Sequence, residues 1–191
     1  IYGDENVRGS TYKKSGDRVL FHLSIAALFL ALHSVFLSIP SFIDNNDLEI
    51  IAWGYILGII CLFLLLIFGL RVQISINKDF FKKNNPIFNL VIIISGIIAT
   101  SLLVTDFRLP IIDSSGIIFW NINPYASWII GGISFIYGLI WTEFFQQTAM
   151  MVKNRTSKIK MFVLSTDGVV LGISALLVFT STNVVQTMIG H

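Results

Sequence analysis

The sequence predicts an all-α polytopic membrane protein, a bundle of five transmembrane helices with the amino end inside and the carboxyl end outside. Three observations predict it. Hydrophobic residues make up 54% of the 191 residues and charged residues only 13%, against roughly 25% charged in an ordinary soluble domain. Five apolar runs of spanning length are separated by polar connections. Of the 13 Lys and Arg, all but Arg108 fall in alternate connections, as the positive-inside rule requires.

A soluble domain of this length has too little interior to hide so much apolar surface, so much of it must face lipid. The mean hydropathy of +0.79 agrees. The net charge of +2 carries no nucleic-acid signal, because the positive residues are confined to short loops and one tail. The lone Cys61 lies inside an apolar run and has no partner for a disulfide within the chain, so it is silent about redox compartment.

Residues 1–18 are polar and of mixed charge, with Gly3, Gly9 and Gly16 among them. They read as a cytoplasmic tail with a short surface helix before Arg18, and they contain no signal-peptide run. The start at Ile1 is that expected of a trimmed or processed chain. Residues 19–191 form the membrane domain. Its first span is 19–39, which at 1.5 Å per residue covers ~31 Å, the thickness of a hydrocarbon core. Pro40 ends it, and an acidic loop with Asp44, Asp47 and Glu49 follows. The second span, 50–70, is the most apolar and stops at Arg71. Lys78, Lys82 and Lys83 stand against Asp79 in the next loop. The third span, 87–104, is closed by Asp106 and Arg108.

The connection from 106 to 124 is the longest, bounded by Pro110 and Pro124. Its apolar run Ile117, Ile118, Phe119 and Trp120 is too short to span and is expected at the headgroup level, where such side chains are favoured. The fourth span is 125–147. A basic turn follows, with Lys153, Arg155, Lys158 and Lys160 and no acid, and the fifth span is 161–185. Five spans put the tail, the second loop and this basic turn on one side. Asn154 and Thr156 match a glycosylation sequon, but the topology places it inside, where it is ignored.

Ionisable residues within spans are the first places to look for function, because lipid makes them costly. They are His22, His33, Glu143 and Asp167. His22 and His33 share a face ~16 Å apart, yet two bis-histidine haems need four histidines, and only His191 is left. A metal site of protein nitrogen and sulfur is equally short of ligands. No metal or other cofactor is expected, and each His is expected to hydrogen-bond in a helix contact. His22, Glu143 and Asp167 all fall in the cytoplasmic half, where they could line an ion or proton path or form an interfacial polar network. Gly54 and Gly58 on the second span, and Gly168 and Gly172 on the fifth, form GxxxG strips that let helix backbones approach.

No catalytic constellation is present: the sequence has no phosphate-binding glycine loop, no HExxH, no GxSxG and no CxxC. The expected role is a non-catalytic subunit or helix-packing module of a larger membrane complex, without catalytic activity of its own, in a cell membrane of prokaryotic kind. Its partners are the lipid bilayer and other membrane subunits or further copies of itself. The alternative is a proton or small-cation transporter or channel through His22, Glu143 and Asp167. A second alternative is the membrane input region of a sensor, against which the outward carboxyl end argues.

Overall fold

A computed structural model describes residues 4–42, 47–76, 85–112 and 118–180. The last residues of the expected fifth span, the acids and lysines at 44 and 78–83, and His191 lie outside the described residues. The chain is all-α in its main elements. Helices α1 (Asp4–Ser38), α2 (Leu48–Ile76), α3 (Asn85–Thr105), α4 (Pro124–Met151) and α5 (Arg155–Thr180) follow one another along the chain. All five are long and apolar enough to cross a membrane.

Local chemistry sets most helix ends. Pro40 lies in a 3-10 turn, Ile39–Ser41, that closes α1. The amides of Ile50 and Ile51 both reach the Asp47 carbonyl oxygen, starting α2, and Glu49 in its first turn suits the positive end of the helix dipole. Asn123 caps α4: its Oδ1 accepts from the amides of Tyr125 (2.9 Å) and Ala126 (3.3 Å), and Pro124 fills a first-turn position where no N–H is needed. Asn154 caps α5 in the same way, accepting from the amides of Thr156 (2.9 Å) and Ser157 (3.4 Å).

Two boundaries differ from expectation. Helix α1 begins at Asp4, so most of the expected polar tail is continuous with the first span. The basic stretch is a turn only at 152–154, and Arg155 to Lys160 already belong to α5. Asn154 explains the second difference, since its side chain satisfies amides that would otherwise be unpaired.

Among the described residues the helices form an open row rather than a closed ring. Helix α1 packs on α2, α5 packs on α4, and α2, α3 and α4 meet in the middle. There α2 presents Tyr55, Ile59, Phe63, Leu66 and Leu70 to Ile92, Ala99 and Leu103 of α3 and to Ala126 and Ile130 of α4. Glycines set the close approaches. Gly96 of α3 makes room for the Phe63 ring, and Gly69 of α2 for the Tyr137 hydroxyl.

The long connection packs over one end of this core. Strands β1 (Ile111–Ile112) and β2 (Ile118–Phe119) pair antiparallel, Ile111 opposite Phe119. Short runs of β-branched and aromatic residues suit such pairing. The Trp120 ring stacks on Tyr55 at 4.5 Å between centroids, and Trp53 meets Phe107 at 5.3 Å. Asp106 Oδ2 accepts from Arg108 (2.6 Å) and from Asn123 Nδ2 (2.9 Å), which ties the end of α3 to the start of α4.

Candidate functional site

Polar side chains within the spans fall into two groups. One group ties helices together. His33 Nδ1 is 2.7 Å from the Gly58 carbonyl oxygen, and since that oxygen can only accept, the nitrogen donates. The contact lies where α2 offers its glycines to α1: a methyl on Gly54 would meet Ile39 at 2.8 Å, and one on Gly58 would meet Leu37 at 3.2 Å. Between α4 and α5, Trp141 Nε1 donates to the Leu164 carbonyl (3.2 Å), and the Thr142 hydroxyl lies 3.0 Å from the Ser165 carbonyl and 2.8 Å from that of Gly138. Gly168 and Gly172 face Gly138 there, backbone against backbone.

His22 is half-buried between α1 and the end of α2, with its Nδ1 3.5 Å from Ser75 Oγ. The Ser75 hydroxyl donates to the Arg71 carbonyl at 2.8 Å, so its oxygen is left to accept from His22 over a long, weak contact. The Phe68 and Phe21 rings flank the imidazole. On the same stretch of α2, Gln73 is 2% exposed, and neither amide atom has a hydrogen-bond partner among the described residues.

The second group consists of the two acids, and both are exposed. Glu143 accepts from Gln147 Nε2 at 2.9 Å, one helical turn away on the same helix. Asp167 has no ion pair or hydrogen bond among the described residues. The contact face of α5 holds the buried Ser165, Gly168 and Gly172. At about 100° of turn per residue, Asp167 stands about 160° round the helix from Ser165. It lies six residues inside the start of the expected fifth span at 161, ~9 Å from that end. Within a span an aspartate is costly, up to about 2.5–3.5 kcal/mol at the helix centre on insertion scales, and its short side chain does not extend to the interface as a lysine's does.

The structure therefore does not gather His22, Glu143 and Asp167 into one described cluster. Among the described residues, no Cα of α1 lies within 8 Å of one in α4 or α5. Among the described residues, no three His, Cys, Asp or Glu side chains come together as a metal site would need. Two cavities lie elsewhere. A pocket of about 20 Å³ under the long connection, lined by Tyr55, Asp106 and Trp120, is of the size of a single water. An open apolar groove of about 400 Å³ runs between α2 and α3 along Phe63, Ile67, Ile93 and Ile97.

Sequence reasoning missed Gly138, the residue against which the Gly168 strip packs, and the network joining Asp106, Arg108 and Asn123. A signal for the first existed, since Gly131 and Gly138 are seven residues apart and so share a helix face. Compared with protein-family models, with curated proteins and with solved structures, the chain matches none.

Proposed function

We propose that this integral membrane protein is a non-catalytic subunit that packs against other proteins within the bilayer, with its amino end inside and its carboxyl end outside. One observation carries the reading: the row of helices is open, and its two intramembrane acids stand on uncovered faces instead of in a shared interior. A path for protons or cations needs polar groups lining one protein-enclosed route, whereas acids on outer faces need something outside the chain to meet them. His33, Trp141 and Thr142 each make a hydrogen bond that joins two helices, which is the work of a scaffold. The orientation rests on Lys153, Arg155, Lys158 and Lys160, which lie together at the α4–α5 connection, on Arg18 at the start of the apolar part of α1, and on Arg71 near the end of α2.

The test is gentle detergent extraction of the tagged chain, followed by mass and composition of the species recovered. The subunit reading predicts different polypeptides in fixed ratio to the chain. Recovery as a monomer or as a homo-oligomer contradicts it.

A further inference from the structure

We infer that the outward face of α5 docks a transmembrane helix of a different protein, one that carries a lysine or arginine at the depth of Asp167. The inference rests on the subunit reading and names the chemistry of the partner. Three observations lead to it. Asp167 is exposed within the span, ~9 Å from its cytoplasmic end, and unpaired among the described residues, on a helix whose only described neighbour is α4. Contact with α4 is complete without it, through Ser165, Gly168 and Gly172. Lys160, Val163, Asp167, Val170 and Ser174 share one face, following one another at steps of three, four, three and four, with the lysine at the cytoplasmic end. That is the spacing of a helix seam. Val163 and Val170 are each 56% exposed, so the lane is shallow and open. Leu171 borders it, also exposed.

Charge selects the occupant. A carboxylate in hydrocarbon is settled by a cation or by several donors at the same depth, and intramembrane charges pair with one another for this reason. A second copy of this chain does not meet the need. Two α5 helices related by an axis along the membrane normal would set Asp167 against Asp167, and like charges in a medium of low dielectric disfavour each other. A helix with one lysine or arginine supplies the opposite charge, and its own cost of insertion falls in the same contact.

The experiment places a photo-crosslinking residue at Leu171 of the full chain in its native membrane and identifies what is captured. Expected is one protein, joined through a membrane span with a lysine or arginine. The yield should fall about tenfold or more in Asp167→Leu, because removing one member of a desolvated pair leaves the other charge alone. Asp167→Glu should keep it. Because Leu at an outward-facing position suits lipid, the fold of Asp167→Leu is checked by its thermal midpoint in detergent. Capture of a second copy, of lipid alone, of a span without a basic residue, or of the same partner at undiminished yield in Asp167→Leu overturns the docking face. If partners still copurify while the crosslink goes only to lipid, the docking face fails and the subunit reading stands. If the chain is recovered without partners, both fail.

Discussion

Gly138 and Gly168 bring the backbones of α4 and α5 into direct contact: a methyl group on Gly138 would fall 2.5 Å from the Gly168 carbonyl oxygen and 2.9 Å from the Cα of Gly172. The opposing atoms are backbone, which cannot swing aside. Gly138→Ala should therefore lower stability by about 1–3 kcal/mol through overpacking. Gly132, six residues earlier on the same helix, has nothing within 4 Å of an added methyl. Gly132→Ala should be neutral or stabilising by up to about 1 kcal/mol, from helix propensity alone. Thermal unfolding of the two variants in detergent separates them. Equal effects would show that the α4–α5 contact is not the close one described.

His33 is expected to hold α1 to α2. In His33→Leu the bond to the Gly58 carbonyl is lost, at a cost of about 0.5–1.5 kcal/mol. Intramembrane hydrogen bonds average near the lower figure. Since α1 is anchored through α2, the loss should appear first as faster proteolysis or exchange in α1, with α4 and α5 protected as before.

The loop network predicts a pH response. Hydrogen bonds from Arg108 and then Asn123 hold the Asp106 carboxyl below the ordinary carboxylate range. A lowered pKa in the folded state means that this contribution is fully present above the ordinary value of about 4 and is lost as pH falls through the lowered one. Trp120 emission, read in a chain whose other tryptophans are phenylalanine, should be steady from neutral pH to the carboxylate range and change only in stronger acid. Asp106→Asn should abolish that acid transition, and a transition near neutral pH would contradict the assignment.

Asn123 works on both sides of this joint, as the cap of α4 and as a donor to Asp106. Asn123→Ala should cost about 1 kcal/mol or somewhat more, the value of a cap plus part of a surface contact. Asn123→Asp should restore the cap while leaving Asp106 without its amide donor. Unfolding of the three chains side by side resolves the two roles.

The number of spans was legible because an apolar run of about twenty residues suits little besides a membrane crossing. The ends of the runs were marked by Pro40, Asp106 and the Asn123–Pro124 pair. Which helices touch was far less legible. Helices apolar on every side carry no stripe to say which face is inward, and lipid removes the polar face that would mark the outside. The glycines at 54, 58, 168 and 172 announced close approach, and Gly131 with Gly138 held a weaker signal, but the His33 contact with Gly58 depends on which faces of α1 and α2 meet. The run from Ile117 to Trp120 shows the same limit. Composition spoke for a headgroup position; what it could not give is the Tyr55 ring on which Trp120 stacks. The depth of Asp167 could be counted along the sequence. Its outward direction could not, because direction depends on which neighbour α5 chooses.

Everything proposed requires five crossings with the start of α5 on the cytoplasmic side. In a Cys61→Ala background, Lys158→Cys and Asn121→Cys are each treated with a membrane-impermeant thiol reagent applied to intact cells. Both positions are exposed, at opposite ends of α4 and α5. The predicted result is labelling at 121 in intact cells, and at 158 only after the membrane is opened. Labelling of 158 from outside, with 121 protected, would contradict the orientation, and labelling of both from outside would contradict the five crossings themselves.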